Sequence, residues 1–248
     1  MTTAPPNLAQ STPTPAEQNT LDGITLPPTN LYSHEPLLES SLHLSQLILL
    51  LACLNWAWKT RDDYFAAGNM TVYYSAEEIK TKDLPPSETL RERGPDFFVV
   101  LGVEQRPRKS WIVWEEGGKY PNVIVELLSD STAAVDRGLK KALYQDVFRT
   151  LDYFWFDPES LEFEGFQLVS GQYEAIPANE QGWRWSPQLE MFLGVHEGQL
   201  RFFSPVGELL PTPEEAAEAE RQQKEIEQQQ KERLAAKLRE LGVDPEQL

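Results

Sequence analysis

PDFFVVLGV (residues 95–103) and VIVELLSDSTAAVDRGLKKALY (residues 123–144) bound the stretch from Pro95 to Tyr144 around which the chain is organised. Each begins as a short, unbroken apolar run closed by Gly or Ser, the pattern of a strand covered on both faces. Each run holds one carboxylate, Asp96 in the first and Glu126 in the second. A helix is expected behind them, over residues 134–148, with Lys140 on it. Strand, helix, strand at this spacing predicts an α/β domain built on a mixed sheet flanked by helices.

Period-two alternation in VIVELL puts Ile124, Glu126 and Leu128 on one face of the strand. A carboxylate set between two aliphatics must be neutralised by a metal, a cation or a proton. On the helix, at about 100° per residue, Leu139, Leu143, Tyr144, Val147 and Phe148 define one broad apolar face. Lys140 falls near the middle of that face and Lys141 at its outer edge. An ammonium aimed into a core is costly unless paired, so Lys140 requires a partner. Two are open: Asp136, one turn earlier on the same face, or the carboxylates of the sheet. Asp96, taken singly after Pro95, reads as a turn residue; with Glu126 and Lys140 it reads as one of a set. Two carboxylates and a lysine suit a phosphodiester hydrolase that uses magnesium, or manganese in its place. Magnesium takes hard oxygen ligands and keeps several waters. It lowers the pKa of a bound water and stabilises charge on a phosphate. A lysine beside it orients or deprotonates the attacking water and stabilises developing negative charge.

PD, a spacer, a glutamate and a displaced lysine together resemble the PD-(D/E)xK nuclease superfamily. Within it, PDFFVV, VIVELLSDST, DRGLKKALY and DYFWFDP resemble the Uma-type restriction endonucleases, a large bacterial family, over roughly Pro36 to Pro205. The resemblance implies a restriction-endonuclease-like core, a mixed sheet with helices on both sides, and DNA as the substrate. It implies Asp96 and Glu126 as ligands of magnesium or manganese. It implies Lys140, the lysine of the DRGxK run, as the residue that assists the attacking water. In the usual superfamily pattern the lysine stands two residues after the acid; that position is Leu128 here, and this family carries the lysine on the following helix. An acid on the first helix often joins such sites, and Glu39 is the candidate for that further metal ligand. Ser129-Asp130-Ser131 replaces a more frequent Ser-Pro-Ser, which bears on loop rigidity more than on chemistry.

Outward from this stretch the chain divides into three parts. Residues 1–30 are rich in Pro, Thr, Ser and Gln with few apolar anchors, so a disordered leader is expected. Residues 31–212 form the nuclease-like domain. Within it, SSLHLSQLILLLACLNWAWKT (residues 40–60) is apolar around most of its circumference and predicts a helix buried on several sides. FEGFQLVSGQYEAI and QLRFFSPVGELL predict hairpins with Gly at their turns. Residues 213–248 change character to strong helix formers with no aromatic residue, a charged helix. Its apolar positions (Ala219, Ile226, Leu234, Leu238 and Leu241) are too sparse to specify a heptad seam. It is either a weak coiled coil, through which the chain forms a homo-oligomer, or a solvated helix.

The net charge of −17 argues against the whole molecule being a nucleic-acid binder. Its distribution is uneven: −6 over residues 1–90, +1 over 91–150, −8 over 151–212 and −4 over 213–248. The candidate site falls in the one segment that is not acidic. Arg106, Arg108 and Lys109 with Trp111 and Trp114 suit either a phosphate grip with base stacking or a charged hairpin tip. His34, His43 and His196 show no metal-ligand spacing. A single cysteine, Cys53, excludes an intramolecular disulfide and a cysteine-rich zinc site; it reads as a small buried hydrophobe. The longest apolar run, Leu47 to Leu54, is far short of the about 20 residues that span a bilayer, and no secretory leader is visible. A cytoplasmic protein without a membrane partner is expected. The acidic balance also favours a second function, an inactive nuclease fold acting as an interaction module through its C-terminal helix, because an anionic surface repels DNA.

Overall fold

The computed structural model describes residues 20–21, 24–25, 27–35, 38, 40–75, 94–129 and 133–240. Most of the expected leader, the candidate ligand Glu39 and the stretch 76–93 lie outside the described residues. Helix α1 spans Ser41–Ala57. Ser40 starts it, with extended backbone and a hydroxyl that accepts from the His43 amide at 3.2 Å, which satisfies one orphan donor of the first turn. Strands β1 (Tyr64–Gly68), β2 (Phe97–Leu101) and β3 (Val123–Leu127) follow, then helix α2 over residues 133–148. Strands β4 (Asp152–Phe156), β5 (Phe163–Val169) and β6 (Gln172–Ala175) complete a six-stranded sheet in the order β6-β5-β4-β3-β2-β1.

β3 and β4 pair in parallel, and every other neighbouring pair is antiparallel. The sheet is therefore mixed, as the run order predicts, and α2 is the crossover that a parallel pair requires. Alternation along the strands sorts the core into two clusters. Val123, Val125, Leu127, Phe154 and Phe156 pack with Leu50 and Leu54 of α1. Phe98, Val100, Ile124, Tyr153 and Trp155 pack with Tyr144 and Phe148 of α2. One helix lies on each face.

A three-stranded antiparallel sheet of β7 (Arg184–Ser186), β8 (Met191–His196) and β9 (Gln199–Phe203) adds Met191, Leu193, Leu200 and Phe202 to the α1 side. Gln46 of α1 stitches it on: its amide donates to the Leu200 carbonyl at 2.9 Å and accepts from the Leu200 amide at 3.0 Å. Both ends of a buried polar group are thus paired. The β5–β6 hairpin closes through Ser170 and Gly171, both at positive φ (49° and 88°), the backbone that matches strand twist in a two-residue turn.

α1 departs from the expectation of burial on several sides. Its buried residues form one stripe (His43, Gln46, Leu47, Leu50, Cys53 and Leu54), because the sheets cover one side only. Ile48 remains 56 % exposed. Helix α3 (Pro213–Glu240) has no buried residue. Its start is held by a reciprocal cap: the Thr212 hydroxyl accepts from the Glu215 amide at 3.1 Å, and the Glu215 carboxylate accepts from the Thr212 amide at 2.8 Å. Glu215 also pairs with the buried Arg201 at 2.6 Å. Among the described residues no helix is long and apolar enough to cross a membrane.

Candidate active site

α2 is not a regular α-helix. It opens with an α-turn at Ala133–Val135, widens to i→i+5 bonding over Asp136–Lys140, tightens over Lys141–Leu143 and widens again over Tyr144–Phe148. From 136 to 148 a regular helix, at about 100° per residue, would turn its outward direction by about 120°. The two wide turns remove that rotation. Asp136, Lys140, Tyr144 and Phe148 consequently form one buried line facing the sheet. Leu139 and Val147, expected on the apolar face, are instead 55 % and 44 % exposed.

The line meets β3 at Glu126. Lys140 Nζ donates to Glu126 Oε2 at 3.0 Å and pairs with Asp136 Oδ1 at 2.9 Å. Both partners left open by the sequence are therefore used. The Tyr144 hydroxyl donates to Glu126 Oε1 at 2.6 Å. Asp96 stands at the mouth of β2, next to β3; its Oδ2 accepts from the Leu127 amide at 2.7 Å, and its own amide donates to Glu126 Oε2 at 3.3 Å. Asp96 is half-buried where Glu126 is fully buried, and its charge acts on the Glu126 carboxyl. Asp96, Glu126 and Lys140 thus converge, although they are far apart in the sequence.

The electrostatics follow from burial. Glu126, fully enclosed, is pushed up to about 7, first by loss of solvent and then by the charge of Asp96, against the pull of Lys140. Burial likewise raises the Asp96 carboxyl. Burial alone would lower the lysine, but Glu126, Asp136 and Asp96 outweigh it and hold Lys140 well above its ordinary value. Lys140 is an ammonium at any pH near neutrality.

Glu35 is a further acid near this cluster. The segment before α1 is strapped to the body through the Ser33 amide, which donates to the Lys109 carbonyl at 3.0 Å. The Thr71 hydroxyl donates to Glu35 Oε1 at 2.7 Å. Burial raises the Glu35 carboxyl, within electrostatic reach of Lys140 and Glu126. Glu35 sits on irregular chain with no periodicity, and Tyr144 was legible only as part of an apolar face. A magnesium site built from two carboxylates, with waters completing the shell, suits Asp96 and Glu126. Among the described residues no group of three or more His, Cys, Asp or Glu side chains is arranged to hold a metal.

The two arginines of the basic cluster are paired within the fold. Arg106 and Arg108 both pair with Glu116, at 2.6 and 2.7 Å, and Arg108 lies over the rings of Phe65 and Trp111. Trp111 is buried with its Nε1 on the Lys119 carbonyl, and Trp114 donates to the Pro28 carbonyl.

A crystal structure from Anabaena variabilis, of a protein described as "a putative nuclease belonging to DUF820", aligns with a TM-score of 0.43 at 12 % identity, covering 68 % of this chain and 80 % of that one. No curated protein matches the chain. The model of the Uma2 family, described as "Putative restriction endonuclease", matches residues 32–196, and the chain belongs to that family.

Proposed function

We propose that this protein is a magnesium- or manganese-dependent endonuclease that hydrolyses phosphodiester bonds of DNA. The observation that carries the reading is the convergence of the fully buried Glu126 carboxyl with the half-buried Asp96, whose amide donates to Glu126 Oε2 at 3.3 Å, beside the buried Lys140 ammonium at 3.0 Å. Asp136 adds a third acid around the same lysine. Such an excess of buried negative charge is relieved by a proton or by a divalent cation. Asp96 and Glu126 would hold that ion. When bound, it supplies Lewis acidity toward phosphate and a water of lowered pKa.

The chain's own contribution is positional. Lys140, kept cationic by its carboxylates, acts as a donor that steadies the attacking water and the negative charge developing on phosphate, not as a base. Asp136 tethers it at one turn's distance. The segment 91–150, which carries the site, has a net charge of +1 in a chain of −17, which lets a polyanion approach there when it is repelled elsewhere.

The test is cleavage of supercoiled plasmid with magnesium or manganese, against a chelator control. Glu126→Gln and Asp96→Asn are expected to cut about 100-fold or more slowly than the parent. A parent protein that cleaves no nucleic acid with either metal, or a Glu126→Gln variant that cleaves normally, would sink the reading.

A further inference from the structure

We infer that Tyr144 is a positioning residue for this site: its phenol fixes the Glu126 carboxylate so that one oxygen is committed and the other faces Asp96 and Lys140. The inference rests on the endonuclease reading and adds a residue to it. Tyr144 and Glu126 are both 0 % exposed, and the 2.6 Å bond between them occupies Oε1. Oε2 receives Lys140 at 3.0 Å and the Asp96 amide at 3.3 Å. With a separate donor on each oxygen, the carboxylate cannot rotate without breaking buried hydrogen bonds, which are expensive to leave unmade.

The position of the hydroxyl does not depend on the bond it makes. The Tyr144 ring is wedged between Phe148, at 5.3 Å between centroids, and Tyr153, at 5.6 Å. The neighbouring phenol is engaged elsewhere: Tyr153 donates to the Asp136 carbonyl at 2.9 Å. A phenylalanine at 144 would fill the same space, so core packing alone does not call for the oxygen. What only the hydroxyl supplies is the bond to Glu126. Partners that orient a metal ligand from behind govern affinity and rate without touching the ion.

The experiment compares the parent, Tyr144→Phe and Tyr153→Phe as full-length protein. Each is measured for manganese affinity by calorimetry and for kcat and KM on plasmid DNA. Tyr144→Phe is expected to bind manganese about 10–100-fold more weakly and to lose kcat to a similar degree, with KM for DNA unchanged. Tyr153→Phe, which deletes a hydroxyl at the same depth, should keep its manganese affinity within about twofold, because it does not touch a ligand. Equal manganese affinity in the parent and Tyr144→Phe overturns the inference and leaves the endonuclease reading standing. Equal losses in both variants also overturn it, since loosened packing then explains the effect. A parent that binds no manganese removes both.

Discussion

The two sides of the central sheet are made from the same strands and behave as different materials. Toward α1, β3 presents Val123, Val125 and Leu127, which meet leucines. Toward α2 the same strand presents Ile124 and Glu126, and the helix answers with Asp136, Lys140 and Tyr144. The first side is largely hydrocarbon; its buried polar groups include Gln46, whose amide is paired, and Asp152 at the start of β4, which accepts from the Ser186 hydroxyl at 2.6 Å. The second buries Glu126, Asp136 and Lys140 together. Buried ion clusters are weaker sources of stability than apolar packing of the same volume. The α2 side thus gives up stability to hold charges where water would otherwise screen them.

The contrast can be broken most directly at Lys140. Lys140→Ala leaves its carboxylates uncompensated and is expected to lower unfolding free energy by about 3–5 kcal/mol. Leu50→Ala, in the opposite core, is expected to cost about 2–5 kcal/mol through transfer and cavity terms, yet to keep manganese affinity. Urea unfolding and metal titration of the two variants separate the sides; a Lys140→Ala protein as stable as its parent would erase the distinction.

A smaller effect sharpens it. Burial pushes the Glu126 carboxyl up to about 7 in the folded chain, against an ordinary value of 4.5. Between those values the folded state binds more protons than the unfolded one, so stability falls as pH rises. The contribution is full below about pH 4.5 and lost through about pH 7, of order 3 kcal/mol in the metal-free protein. Asp96, Glu35 and Asp152 are also raised by burial, so the quantity to measure is the difference between parent and Glu126→Gln across that range. Parallel curves would contradict it. The smallest change concerns Gly138, on the exposed side of α2, where an added Cβ meets nothing within 4 Å. Gly138→Ala is expected to stabilise by about 0.5–1 kcal/mol, seen as a higher urea midpoint with cleavage unchanged.

The strands were legible because apolar runs between Pro, Gly and Ser have few other homes. Glu126 was legible because alternation leaves it between Ile124 and Leu128 on a covered face. Lys140 was legible because a lone cation among apolar helix positions demands a partner. The surroundings of Lys140 were not. A wheel drawn for a regular helix turns Leu139 and Val147 inward, whereas wide turns leave both in solvent. Such turns are selected by packing against the sheet, and no residue type announces them. Glu35 was hidden for a different reason: its place is set by long-range bonds from Thr71 and Lys109 to an irregular segment. Arg106 and Arg108 look available to phosphate in the sequence, but Glu116, 10 and 8 residues further on, pairs with both.

Among the described residues, α3 presents its whole length to the surface with no buried side chain. A helix of 28 residues reaches about 40 Å at 1.5 Å per residue. Pinned at its root by Arg201 and Glu215 and burying none of its residues, it leaves its later turns able to change sequence at little cost to the folded core.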